Sequence, residues 1–138
     1  MNPEDRLSAP LELEYPFTRT TGPVIGAFLT GLRERIMLGI KRKDGTILVP
    51  PTEYDPETSE SLTEMVEVGQ GGEVTTWTWV NEPRDQSPWD KPHAFAMILL
   101  DGADTPILHA VLVNNPEMMQ TGMRVSIKWK QQTEGHIQ

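Results

Sequence analysis

Apolar and polar residues follow two different rhythms along this chain. In TTGPVIGAFLTGLRERIMLG, from Thr20 to Gly39, Val24, Ile25, Phe28, Leu29, Leu32 and Ile36 recur at helical spacing and fall on one stripe. Pro23 suits the first helical position, Thr21 or Gly22 the cap before it, and Gly39 the stop. The pattern predicts a helix from Pro23 to Met37. Gly26 and Gly31 weaken it by up to about 1 kcal/mol each relative to Ala, and glycines at such places allow another backbone to come close. Two packings are open for the stripe: the chain's own domain, or a second protein.

From Glu64 onward the rhythm shortens to that of strands. EMVEV (64–68) alternates and is closed by the turn Gly69-Gln70-Gly71-Gly72. EVTTWTWV (73–80) alternates strictly, which places Thr75, Trp77 and Trp79 on one face and Val74, Thr76, Thr78 and Val80 on the other. HAFAMILL (93–100) is apolar enough for a central strand, DGADT makes a hairpin turn, and PILHAVLV (106–113) returns. MRVSIKWK (123–130) is a last amphipathic strand. Five strands with no competing helical pattern predict a small closed barrel of the OB type.

Between the helix and these strands lies KRKDGTILVPPTEYDPETSE (41–60). Asp-Gly marks one tight turn, Pro-Pro an extended segment, and Asp-Pro-Glu-Thr a second turn. Two turns facing each other across a short hairpin are a common layout for holding a metal ion, yet neither carries cysteine or histidine. Ahead of the helix, residues 1–19 hold three prolines and scattered apolar side chains, as expected of an arm lying on the chain or on a partner.

Composition narrows the function. Over 138 residues the net charge is -8, from 20 acidic against 12 basic groups, which argues against nucleic acid and against anionic membrane surfaces. The absence of cysteine excludes disulfides, thiolate zinc sites, iron–sulfur clusters and a cysteine nucleophile. Mean hydropathy is -0.42 and no long apolar run is present, so no membrane span is expected. The opening MNPEDRLSAP is acidic and polar, unlike a signal peptide, and the cytoplasm is the expected compartment.

A search for chemistry within the chain finds little. His93, His109 and His136 lie far apart and in no catalytic motif; His109, within a strand, is read as a core histidine with a satisfied hydrogen bond. Asp101 and Asp104 flank Gly102, and turn chemistry accounts for both without an acid/base role. GxSxG, P-loop and GxGxxG patterns are missing, so no catalytic residue is assigned. Trp77 and Trp79 could stack bases on an OB face, but no basic groove is expected beside them, and packing or an interface explains them better. Met118, Met119 and Met123 suit either an adaptable contact surface or the filling of one end of the barrel.

Taken in order, GLRERIMLGIKRKDGTILVPP, WTWV, LDGADTPILHAVLV and TGMRVSIKWK resemble the zinc-ribbon-plus-OB-fold proteins that accompany thiolases and related acyl-CoA enzymes. The resemblance covers about Pro16 to Lys130. Metal-bearing members of that family carry Cys-x-x-Cys-Gly before VPP and Cys-Pro-x-Cys after it. Laid onto this chain, the ligand positions fall on Lys41 and Asp44, with Gly45 kept, and on Asp55 and Thr58, with Pro56 kept. Such a set cannot replace four thiolates around zinc. A hard ion on Asp44, Asp55 and Glu57 is the minor alternative. The expected fold is thus mainly β: N-terminal arm and helix over 1–38, a degenerate, metal-free ribbon-like hairpin over 39–62, and a five-stranded OB barrel over 63–138.

The form PPTEYDPETSE resembles most the branch found in bacterial steroid degradation. That resemblance implies a non-catalytic subunit of a thiolase-like (lipid-transfer-protein-like) aldolase, which splits the side chain of a steroid-CoA ester by a retro-aldol step. It further implies two copies of each chain, a CoA ester bound mainly by the partner, no cofactor on this chain, and an associated hot-dog-fold hydratase. Phe17, Val24, Phe28, Leu32, Tyr54 and Trp89 are the expected partner-binding residues. Three alternatives stand beside it: an OB-fold binder of single-stranded nucleic acid, a subunit of an acyl-CoA thiolase or hydratase, and a small self-sufficient enzyme acting on CoA esters.

Overall fold

The computed structural model describes residues 22–87 and 89–130. Helix α1 (Pro23–Arg33) buries Val24, Phe28 and Leu32 on the predicted stripe. It stops at Arg33, short of Met37. Arg35 takes a left-handed φ of 62°, the Ile36 N–H donates back to the Gly31 carbonyl at 2.8 Å, and the Arg35 N–H donates to that of Leu32 at 3.2 Å. This is a left-handed helix stop of the kind usually built on glycine. Gly39 does other work inside a strand: a Cβ there would lie 2.9 Å from the Leu48 carbonyl oxygen and from methyls of Ile47 and Val49. At the helix start Gly22 supplies no side-chain cap. Glu53 does so from a distance, its Oε1 accepting the Val24 and Ile25 N–H groups at 3.0 Å each. A carboxylate there also faces the positive end of the helix dipole. Thr21, the other expected cap, lies outside the described residues.

Two antiparallel sheets follow. The first joins β1 (Leu38–Lys41), β2 (Ile47–Leu48) and β3 (Glu64–Glu67) in the order β2-β1-β3. The second joins β4 (Gly71–Val80), β5 (His93–Leu100), β6 (Ile107–Val111) and β7 (Arg124–Ser126) in the order β6-β5-β4-β7. Among the described residues the fold is mainly β with one α-helix, as predicted, and the second sheet has four strands where a closed barrel of five was expected. One strand sits elsewhere than expected: EMVEV ladders onto β1, with Ile40 opposite Met65, and so completes the ribbon sheet. Local alternation reveals a strand but not its pairing partner.

A bulge in β4 changes the faces. Val74 pairs with Ile98 and Thr76 with Met97, which leaves Thr75 as the extra residue. An unpaired residue inverts the two-residue alternation beyond it. Trp77 and Trp79 therefore join Val74 on the inner side and pack against the core, where strict alternation had separated them. The Thr75 hydroxyl donates to the Met97 carbonyl at 3.0 Å. β5 is one of the two inner strands, and its Ala94, Ala96, Ile98 and Leu100 are all buried.

The buried residues form two clusters. The larger lies within the barrel and includes Val74, Ala96, Ile98 and Val111, together with Phe28 and Leu32 from α1. The smaller lies in the ribbon and consists of Val24, Ile40, Leu48 and Leu62. Helix α1 therefore contributes to both.

Candidate functional site

The ribbon hairpin has a charged centre. Arg42 follows β1, and its side chain is only 10% exposed. Its Nε donates to Asp55 Oδ2 at 2.9 Å, Nη2 lies 3.0 Å from Glu57 Oε2, and Nη1 lies 3.4 Å from Asp44 Oδ2. The turns themselves place the carboxylates. Asp44 Oδ1 accepts the Thr46 N–H at 2.9 Å, and Asp55 Oδ1 accepts the Glu57 N–H at 2.8 Å, both turns of the Asx kind. The Arg42 hydrogen bond, helped by the Glu57 N–H, holds Asp55 below the ordinary carboxylate value. Asp44 is lowered chiefly by the Thr46 N–H. Asp55 and Glu57 in turn raise Arg42.

These residues do not fit zinc. Of the four positions at which metal-bearing relatives of the ribbon carry cysteine, Asp44 and Asp55 are engaged by Arg42. Lys41 faces Glu64 at 4.0 Å, and the Thr58 hydroxyl accepts the Glu60 N–H at 3.4 Å. A fixed guanidinium among the carboxylates would also repel a divalent cation. Among the described residues no cluster of His, Asp and Glu is arranged to hold a metal. Arg42 stands outside the four ligand positions that the resemblance singles out. The signal was present: an arginine two residues before Asp44, at the mouth of a hairpin whose second turn holds Asp55 and Glu57.

The barrel fastens the ribbon through the β5–β6 turn. Asp104 Oδ2 accepts the Ile47 N–H at 2.8 Å, and the Asp104 N–H donates to the Ile47 carbonyl at 2.9 Å. The Thr105 hydroxyl accepts the Val49 N–H at 2.9 Å and donates to the Val49 carbonyl at 3.1 Å. Asp101 points elsewhere and forms a two-pronged pair with Arg124, which lowers its pKa. Asp101 and Asp104 thus serve separate structural contacts.

The histidines also differ from expectation. The core histidine is His93, fully buried at the start of β5, while His109 is only half-buried. His93 Nδ1 donates to the Lys91 carbonyl at 2.7 Å, and Nε2 is buried with no partner among the described residues. His109 Nδ1 bonds the Ala110 carbonyl at 2.9 Å. Neither is joined to a carboxylate or hydroxyl in a catalytic relay.

Of the expected contact residues, Val24, Phe28 and Leu32 are 4–5% exposed within the chain's own core. Tyr54 is 62% exposed at the ribbon tip. Trp89 is half-buried, its ring 6.1 Å from that of His93. Phe17 lies outside the described residues. The structure brings Phe28 and Leu32 together in one cluster and leaves Tyr54 apart from it.

Residues 65–130 match the family model described as ChsH2, C-terminal OB-fold domain. The match covers 66 of the 138 residues, just under half of the chain. The matched region begins within β3 and takes in the whole four-stranded sheet. The fold likeness extends further. A DUF35-family protein of unknown function from Sulfolobus solfataricus shares 19% identity, with 82% of each chain covered and a TM-score of 0.63. A chain of the Ltp2-ChsH2(DUF35) aldolase shares 16% identity, with 83% of this chain and 93% of that chain covered and a TM-score of 0.61. At such identities the likeness establishes the fold alone. No curated protein matches the sequence. Among the described residues no helix is long and apolar enough to cross a membrane.

Proposed function

We propose that this chain is a non-catalytic accessory subunit of a thiolase-like aldolase. The observation that carries this is the ChsH2-type match over residues 65–130, joined to a likeness with a chain of the Ltp2-ChsH2(DUF35) aldolase over 83% of this chain. The polar groups support it, since Asp44, Asp55, Asp101 and Asp104 are all engaged in structural contacts. In this proposal the partner holds the catalytic residues and the CoA ester. The reaction is retro-aldol cleavage of a steroid-CoA side chain, in an assembly of two copies of each chain, with a hot-dog-fold hydratase as a further associate. The ribbon works without zinc, and the cytoplasm is the compartment.

The nucleic-acid alternative loses its platform, because Trp77 and Trp79 pack toward the barrel core. Tyr54 and Ile25, both exposed, are the apolar groups on the ribbon side that a partner could cover.

Co-expression tests the proposal: the aldolase is expected to be insoluble or inactive without this chain and to co-purify with it. An aldolase that is soluble and fully active alone would overturn the subunit role. Tyr54→Glu should weaken co-purification while leaving the fold intact. Undiminished co-purification would move the contact away from the ribbon tip without touching the subunit role.

A further inference from the structure

The barrel is split along one side. A cavity of about 830 Å³ opens between β6 with its continuation to Val113 and the segment from Met123 to Lys130. Its floor reaches the core residues Ile98, Leu100, Ile107 and Val111. The volume lies within the roughly 300–1,000 Å³ of small-molecule sites, and a lining dominated by apolar groups with a few polar ones is usual for them. The C-terminal wall is held in place. Gln70 accepts the Trp129 indole N–H at 2.9 Å and donates to the Arg35 carbonyl at 2.7 Å, while Arg35 Nη2 donates to the Lys130 carbonyl at 3.0 Å.

The charge of the lining is the telling feature. The whole chain carries -8, yet among the described residues no Asp or Glu lines this cavity, and the charged residues that do are Lys128 and Lys130. Both are exposed at positions alternating with the half-buried Ile127 and Trp129, so they stand at the rim while their neighbours face inward. On the opposite rim Leu108 and Leu112 are 60% and 53% exposed.

We propose that this split barrel binds an amphiphilic anion, with a long apolar body between β6 and the 123–130 segment and a carboxylate or phosphate head at Lys128 and Lys130. A protein strand added to the free edge of β6 is the competing occupant. The deep apolar floor favours a slim hydrocarbon, since a backbone laid there would leave peptide groups facing Ile98 and Leu100 without partners. The proposal is independent of the subunit role, because the chain alone is measured.

Titration of the full chain with hexadecanoate, hexadecyl phosphate and neutral hexadecanol, each below its aggregation limit, tests it by calorimetry and by the fluorescence of Trp89 and Trp129. Saturable one-to-one binding of both anions is expected, with the alcohol about five- to tenfold weaker, the scale of two exposed charge pairs. Binding of only one anion would overturn the shared head-group chemistry. The double variant Lys128→Gln, Lys130→Gln should erase the preference and spare alcohol binding. Leu108→Glu, an exposed change at the other rim, should weaken the anions selectively. No saturable binding, or equal affinity for alcohol and anions, would overturn the site; a groove reserved for a protein strand gives the first of these results.

Discussion

The ribbon and the barrel differ in what orders them. The cluster at the ribbon holds four buried apolar residues, one of them from α1, whereas the cluster at the barrel holds thirteen, among them Phe28 and Leu32 of α1 and Val49 of the ribbon. A core as small as the ribbon's cannot by itself offset the entropy of ordering two turns and three short strands. A zinc ribbon of the kind the sequence resembles would meet this with four thiolates around the metal. Here Arg42 draws Asp44, Asp55 and Glu57 together, and the barrel's Asp104 and Thr105 hold β2 from outside. The barrel needs no comparable device. Its own ion pair, Asp101 with Arg124, has side chains 56% and 62% exposed and contributes little in water. The contrast teaches that a half-buried cation and contacts from a neighbouring sheet can together close a hairpin whose own apolar core is small.

The largest expected effect tests whether the two regions are separable at all. Phe28 is 4% exposed on the one helix that enters both clusters. Phe28→Ala should cost about 3–5 kcal/mol by leaving a cavity, and thermal melting should show ribbon and barrel destabilised together. A loss confined to the barrel would show that α1 does not couple them.

Next comes the fastening between them. Thr105→Val removes a hydroxyl that serves both polar groups of Val49, and about 1–3 kcal/mol should follow from leaving them unsatisfied. Hydrogen exchange should report the loss first at Ile47–Val49, with β5 protected as before. Equal loosening of β5 would make the comparison untenable.

Acid should separate the regions more gently. Asp55 titrates below its ordinary 3.8 when folded, so on acidification the unfolded chain binds its proton first. The stabilisation is complete above 3.8 and is lost as pH falls through the folded value. Amide protection over residues 42–60 should therefore begin to fall as pH drops through 3.8 and go on falling below it, ahead of β5. Asp55→Asn should loosen the ribbon at neutral pH and flatten its response to acid. A ribbon that resists acid as long as the barrel does would remove Arg42 from its central place.

The smallest expected effect is none. Chelation should leave the melting temperature unchanged, and purified protein should hold no stoichiometric zinc. A metal found at one per chain would return the ribbon to the behaviour of its cysteine-bearing relatives.

Much of the fold could be read from the chain, and what could not has specific causes. β5 was legible to the residue, because an apolar run between Pro92 and Asp101-Gly102 has sharp ends. The end of α1 was not, since Arg35 adopts a backbone conformation that sequence signals assign to glycine. The inward turn of Trp77 and Trp79 was hidden by the bulge at Thr75, which depends on the register with β5. Nor could periodicity show that β3 belongs to the ribbon, because pairing is decided by chain segments far apart in sequence. The ribbon's turns were visible and its cation was not: the resemblance drew attention to where thiolates would stand rather than to what had come between them.

The grip of Thr105 and Asp104 on residues 47–49 bears on transplantation. A ribbon closed by its own metal can be moved between hosts as a cassette, because everything that closes it travels with it. This one takes part of its closure from a turn more than fifty residues downstream, the Asp104 and Thr105 bonds spanning 57 and 56 positions. Grafted onto a foreign barrel it would arrive incomplete. A zinc-binding ribbon grafted here would instead make that turn redundant.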